Sequence, residues 1–257
     1  MGILLLKLTL TPVLIGGASL ASRRWGAEVG GWLVGIPFTS GPIAFFLAVE
    51  SGVHFAADAS VGILAGGLSQ AAFAVAYSWT ALRLGRTWSV AAATVAFALA
   101  TVLLNVFRSS AAVTLAMAVT SLVLALAVLP RRAAKPAAEV TLPWWDIPAR
   151  MLVATVFVVA LTSAAPALGP RLSGLLSPFP VYAAVLCVFA HRLQGPGAAI
   201  AVMRGLLLGL FSFAAFFAAL AFLLEAEGIA IAFAIAIAAT LVFQAATLAV
   251  GRRLRMA

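Results

Sequence analysis

About nine apolar runs, each of roughly the 20 residues that a bilayer-crossing helix needs, alternate along the chain with short joints marked by charge, glycine or proline. They cover about 2–22, 27–49, 55–79, 88–107, 109–129, 147–168, 172–190, 197–224 and 229–250. One long polar stretch interrupts them, from Pro130 to Asp146, and it holds Arg131, Arg132, Lys135, Pro136 and Pro143. The pattern predicts an all-α, polytopic transmembrane bundle.

Composition agrees. Of 257 residues, 65% are apolar and 9% charged, and the mean hydropathy is +1.17, so too little charge exists to cover a soluble surface. A net charge of +9 would suggest nucleic acid in a soluble protein. Here the basic residues sit in short loops and form no contiguous face that follows a phosphate backbone, so nucleic acid is not an expected partner. The same loops encode orientation. With the N-terminus outside, the cytoplasmic side collects Arg23, Arg24, Arg83, Arg86, Arg131, Arg132, Lys135, Arg150, Arg192, Arg252, Arg253 and Arg255. Lys7, Arg108 and Arg171 remain outside, Arg204 lies within a span, and every loop obeys the positive-inside rule. The topology is N-out, C-in. Arginine well above lysine, with abundant alanine, points to a GC-rich bacterial genome and so to a bacterial inner membrane. Ala18 to Ala21 resembles a signal-peptidase site, but Arg23 and Arg24 follow the apolar run instead of preceding it, so the first span is expected to stay. Cys187 is the only cysteine, which excludes an intramolecular disulfide.

The chain also repeats. Shifted by 143 residues, Gly26 meets Gly169, Gly31 meets Gly174, Leu33 meets Leu176, Pro37 meets Pro180 and Phe46 meets Phe189; Gly52, Gly62 and Gly66 meet Gly195, Gly205 and Gly209. Ser69 and Phe73 meet Ser212 and Phe216. Glycine and proline matches at one fixed offset mark shared backbone constraints, not shared composition. Residues 1–108 thus form a first repeat of four spans, 109–146 a linker helix and cytoplasmic loop, and 147–257 a second repeat of four. An odd number of crossings separates equivalent helices, so the repeat is inverted, as in many secondary transporters whose sites lie near the midplane.

Candidate chemistry concentrates where the second and seventh spans carry helix breakers. Pro37, Thr39, Ser40 and Pro42 face Ser177, Pro178, Pro180 and Tyr182 in the repeat-related span. Proline removes a backbone hydrogen bond, and in lipid the freed groups survive only against protein or a wet cavity. Half-helix N-termini there favour an anion. Ser69, Gln70 and Ser212 lie close by on spans three and eight, either facing a cavity or bonding to neighbouring helices. Gly62-x-x-x-Gly66 and Gly205-x-x-x-Gly209 read as close-packing motifs. Arg204, about two turns into its span, is the ionisable residue most suited to a substrate role, with snorkelling as the alternative. Lys7 and Arg150, also 143 apart, read as interfacial anchors, with flanking of a pathway the second reading. Glu50, His54 and Asp58 have helical spacing for a metal, but Ser51-Gly52 interrupts it, and a solvated outer loop fits better. Trp144 and Trp145 fit an aromatic belt before the sixth span. No metal site, cofactor or catalytic set is legible, and no Walker, Rossmann, HExxH, CxxC or GxSxG motif occurs, which excludes ATP-driven pumping by this chain.

The stretch from Pro148 to Leu224 resembles the GlpM-type family of small bacterial membrane proteins. The likeness rests on Ser173-Gly-Leu-Leu-Ser-Pro-Phe-Pro180 and on Arg204-Gly-Leu-Leu-Leu-Gly-Leu-Phe-Ser212-Phe. Such relatives carry one repeat where this chain carries two, with Val61 in place of Arg204 and Gly35 in place of Pro178 in the first copy. The resemblance implies the membrane class and brings no activity with it. The expectation is a non-enzymatic, transporter-like or flippase-like permease for a small, anionic or lipid-linked substrate, its expected partners being the bilayer, that substrate and further copies of itself as a homo-oligomer. The alternative is a non-catalytic scaffold serving an envelope polysaccharide or lipid pathway.

Overall fold

A computed structural model describes residues 2–25, 36–130 and 145–256 of the chain. Gly26, Gly31, Leu33, Gly35, Arg131, Arg132, Lys135, Pro136, Pro143 and Trp144 lie outside the described residues, as do the side chains of Arg23, Arg252, Arg253 and Arg255.

Every described element is helical: α1 Gly2–Trp25, α2 Ser40–Ser51, α3 Val53–Thr80, α4 Arg86–Val106, α5 Ala111–Val128, α6 Asp146–Leu176, α7 Val181–Gln194 and α8 Pro196–Met256. Among the described residues six helices are long and apolar enough to cross a membrane, while α2 and α7 are shorter apolar helices of 12 and 14 residues. The protein is a multi-pass helical membrane protein. Two of the expected joints fall inside these ranges: the helical path of α6 is broken at Gly169 (φ 76°, ψ 167°), just after the expected span 147–168, and that of α8 at Gly228 (φ 75°, ψ 176°), between the expected spans 197–224 and 229–250.

The corners explain themselves through glycine. Gly52 (φ 93°, ψ 163°) separates α2 from α3, and Gly195 (φ 86°, ψ −177°) separates α7 from α8. This combination of angles is open essentially to glycine alone. The two corners lie 143 residues apart, and the helices after them begin at Val53 and Pro196, also 143 apart. Pro170 and Pro196 each follow such a glycine, at the first helical position where a missing N–H costs nothing. A Cβ on Gly195 would meet no atom within 4 Å, so the whole cost of Gly195→Ala is conformational. We expect it to destabilise the folded protein by about 1–3 kcal/mol. Gly85→Ala, at φ −66°, is the control that leaves the thermal midpoint in detergent nearly unchanged. Equal midpoints for the two variants would refute the account.

Helix α3 is the hub, packed on α2, α4, α5, α6 and α8. By contrast α4 turns Leu99, Val102 and Val106 outward, each at least 66% exposed, and α5 exposes Val123 and Leu124. Large apolar side chains outside and hydroxyls inside is the arrangement hydrocarbon surroundings permit. Most hydroxyls in the spans bond back to their own helix, as Ser60 does to Ala56 O (2.7 Å), Ser78 to Ala74 O (2.7 Å), Thr162 to Val158 O (2.8 Å) and Thr240 to Ala236 O (2.9 Å). Helix ends are closed by longer-range donors. The Arg171 guanidinium donates to the carbonyls of Leu104, Asn105 and Phe107, which the end of α4 leaves free.

Candidate functional site

Two interruptions meet in the bundle. The helical path stops at Leu176 and resumes at Val181, so Ser177, Pro178, Phe179 and Pro180 form a turn, tied by Phe179 N–H to Leu176 O (3.0 Å) and Val181 N–H to Phe179 O (2.8 Å). In the first half, Ile36 to Thr39 are non-helical and α2 starts at Ser40. Pro42 does not break anything. It sits in the first turn of α2, where the leading N–H groups have no intrahelical acceptor, so its missing donor is not felt.

The Ser40 hydroxyl donates to the Ser177 carbonyl at 3.1 Å, linking residues 137 apart and joining the two non-helical turns. Ser173, Ser177 and Tyr182, in or next to the second turn, have buried hydroxyls with no hydrogen-bond partner among the described residues, and so does the side-chain oxygen of Gln70, one helical turn beyond Gly66 on α3. Neither Thr39 nor Pro180, at the starts of α2 and α7, is followed by a side-chain cap bond. The junction is held close by absent side chains. A Cβ on Gly66 would overlap the Pro178 ring and lie 2.9 Å from Leu175 O, and one on Gly62 would lie 2.7 Å from Arg171 O. The first GxxxG therefore packs α3 against the end of α6, as the motif suggested.

Ser69 and Ser212 turn to neighbouring helices. Thr101 donates to Ser69 at 2.9 Å, and Ser212 donates to the Gln244 side-chain oxygen at 2.5 Å. The partners Thr101 and Gln244 are themselves 143 apart, so the same two positions are bonded in each half, with the serine accepting in the first and donating in the second. Neither serine contributes a free hydroxyl to the junction.

Arg204 does not join the cluster. It lies on the half-exposed stripe of α8 with Ala201, Leu208 and Phe211, while Leu207 and Ser212 occupy the buried face. It forms no hydrogen bond or ion pair among the described residues, and the Tyr182 and Ser177 hydroxyls are left without it. The cation at Tyr182 is Arg150. Its guanidinium carbon stands 5.1 Å from the ring centroid, its Nε donates to Asp146 Oδ1 at 3.0 Å, and an NH2 nitrogen lies 2.9 Å from the same oxygen. Side-chain exposure is 3% for Arg150 and 1% for Asp146, so this residue is a buried ion-pair member and not an interfacial anchor. Lys7 repeats the pattern, paired to Glu50 at 2.7 Å and 5.3 Å from the Phe46 ring. Sequence could match the two cations by offset but not bury them, because Glu50 is 43 residues from Lys7.

His54 is paired with Glu225 and Glu50 with Lys7, so the three residues of the metal spacing diverge; no cluster of three metal-binding side chains occurs among the described residues. Asp58 instead borders a polar recess of 530 Å³ with Arg108 and Arg171. His191, expected as a plain helix end, places Nδ1 3.2 Å from the buried Tyr77 hydroxyl, a contact across 114 residues that nothing local announces. Trp145 is exposed and tilted against Phe189 at 6.3 Å, in keeping with a belt position.

A second cavity, of 410 Å³, opens beside the first-half turn. It is lined by Leu10 and Leu14 of α1, by Ile36, Pro37 and Phe38 of the turn, by Gly41, Pro42 and Phe45 of α2, and by Phe216, Phe233, Ile237, Thr240 and Leu241 of α8. Phe38 also packs on a small cluster of Ile15, Ala154 and Tyr182, so it borders both the cavity and the cluster whose Tyr182 ring lies under Arg150.

Comparison of the chain with protein-family models, with curated proteins and with solved structures returns no match. Function has to be read from the site.

Proposed function

We propose that this protein is a non-enzymatic, flippase-like or transporter-like permease of a bacterial inner membrane, with its site where the two non-helical turns meet. In this reading nine crossings run N-out to C-in as two inverted repeats of four with α5 between them, and the second half is kin to the GlpM-type proteins. The repeat is supported by the paired corners at Gly52 and Gly195 and by the paired bonds Thr101–Ser69 and Ser212–Gln244. One observation carries the site: Ser40 reaches the Ser177 carbonyl across the halves while Ser173, Ser177, Tyr182 and Gln70 keep buried polar atoms without a hydrogen-bond partner among the described residues. A buried polar atom left unmade costs about 1–3 kcal/mol, which water or a substrate group at the junction would offset. A scaffold has no need of such a junction.

Cysteine accessibility tests this. With Cys187 replaced by Ala, Ser40→Cys, Ser177→Cys and Tyr182→Cys are expected to react with a membrane-impermeant maleimide from one face, at a rate that changes when the protein is trapped by cross-linking. Glu225→Cys should react from the outside only, which reports orientation in the same assay. Junction cysteines reached from neither face, in protein that is otherwise folded, would describe a dry bundle and leave the scaffold reading in its place.

A further inference from the structure

The 410 Å³ cavity, lined from both halves, has a counterpart at the repeat-related positions, and there phenylalanines take the centre. At an offset of 143, Leu14 corresponds to Phe157, Ile36 to Phe179 and Thr240 to Phe97. Phe179 packs against both of the others, edge-to-face on Phe97 with centroids 5.2 Å apart and tilted against Phe157 with centroids 6.4 Å apart. On the cavity side the three central positions are smaller, and the rings have moved to the walls. Phe45 and Phe233 meet at 5.7 Å and Phe216 and Phe233 at 6.0 Å, where the counterpart has Val188 and Val90 at the positions of Phe45 and Phe233. The two repeat-related places thus distribute their aromatic rings differently: one carries them at its centre, the other along its walls.

The lining decides what enters. Among the described residues Thr240 is the only polar side chain on it, and its hydroxyl is already bonded to Ala236 O at 2.9 Å. Water would find no partner there. The volume lies within the roughly 300–1,000 Å³ of ligand pockets. At the rim stand Ile237 and Leu241, which are 52% and 62% exposed on a helix long and apolar enough to cross the membrane, so the opening faces hydrocarbon. We propose that this cavity holds one acyl chain of a membrane phospholipid, and that Leu14, Ile36 and Thr240 are the residues that keep it open. The inference rests on the membrane placement and the duplication argued above, and not on transport.

The test is an adduct map that needs no transport. The full chain is reconstituted in vesicles of phosphatidylcholine and phosphatidylglycerol doped with a phosphatidylcholine carrying a diazirine in mid-chain, then irradiated and mapped by mass spectrometry. Adducts at Phe45, Phe216 and Phe233 are expected to exceed those at Val188, Phe73 and Val90 by about tenfold, the ratio that burial of roughly two methylenes produces. Ile36→Phe with Thr240→Phe should remove the excess and leave adducts on the outer α4 residues Leu99 and Val102 unchanged. Phe97→Thr with Phe179→Ile should raise adducts at Val188. Lining adducts no higher than those at the plugged positions would overturn the proposal from the unmodified protein alone, whether or not the filled variant folds. So would an excess that persists in a folded, filled variant. A positive map with inaccessible junction cysteines would remove the permease reading and leave the lipid site standing.

Discussion

Arg150→Ala is expected to lower the stability of the folded protein by about 3–5 kcal/mol, the cost of removing one member of a buried ion pair. The residue lies within α6, and both side chains are shut off from solvent, at 3% and 1% exposure. The guanidinium meets Asp146 Oδ1 through Nε at 3.0 Å and sits 5.1 Å from the Tyr182 ring centre. Alanine leaves the Asp146 carboxylate without its guanidinium in surroundings that water does not reach, and it also opens the space beneath the ring. Arg150→Lys should recover only part of the loss, because an ammonium keeps the charge but not the planar fork that approaches the carboxylate and lies against the aromatic face. Lys7→Ala is the internal comparison. Its partner Glu50 is 32% exposed, so water can solvate the carboxylate left behind and the loss should be smaller. Thermal midpoints of the three variants in detergent decide it. If Arg150→Ala unfolds at the temperature of the unmodified protein, the pair is hydrated and the burial argument is wrong.

Gly174→Leu should prevent folding, and Gly174→Ala should already be costly, at the upper end of the roughly 1–3 kcal/mol that overpacking exacts. A Cβ at Gly174 would overlap the Ala59 carbonyl and lie 2.8 Å from Gly62 Cα and 2.9 Å from Ile63 N. These neighbours are backbone atoms of α3, the helix on which five others pack, and no rotamer change can move them aside. Relief requires α6 and α3 to separate, which also pulls Pro178 off Gly66 and strains the Ser40–Ser177 link. Gly67→Ala is the control in the same helix as Gly66. A Cβ there meets only ring carbons of Phe213, at 3.7 and 4.0 Å, which is ordinary contact. Yield of monodisperse protein after extraction measures the difference. Comparable yields of Gly174→Ala and Gly67→Ala would show that the helices are not in the close contact described.

Element positions were legible to within a few residues wherever an apolar run stopped at charge or at glycine with proline, because in lipid a backbone must satisfy itself and helix is the default until something removes a donor. Val53–Thr80 against an expected 55–79 and Arg86–Val106 against 88–107 are examples. Gly169 and Gly228 break the helical path where the apolar runs were expected to end, because each takes a backbone conformation open essentially to glycine. Pro42 was overread, since proline harms a helix only beyond its first turn.

At the site, the sequence by itself determined the class, the apolar lengths, the 143-residue correspondence, and the clustering of breakers around 36–42 and 177–180. All of these are local or periodic properties that survive without knowing who touches whom. Tertiary structure alone decided which polar groups are used up. Ser69 and Ser212 are satisfied by Thr101 and Gln244, 32 residues further along in each case, and so leave the candidate site. Arg204 falls on the half-exposed stripe of its helix, while Arg150 is the cation buried at Tyr182. Likewise, the replacement of Phe97, Phe157 and Phe179 by Thr240, Leu14 and Ile36 reads along the chain as three ordinary exchanges, two of them apolar. It becomes a cavity only because the fold brings those three positions, from three different segments, to one point where side-chain volume is the sole thing filling the space.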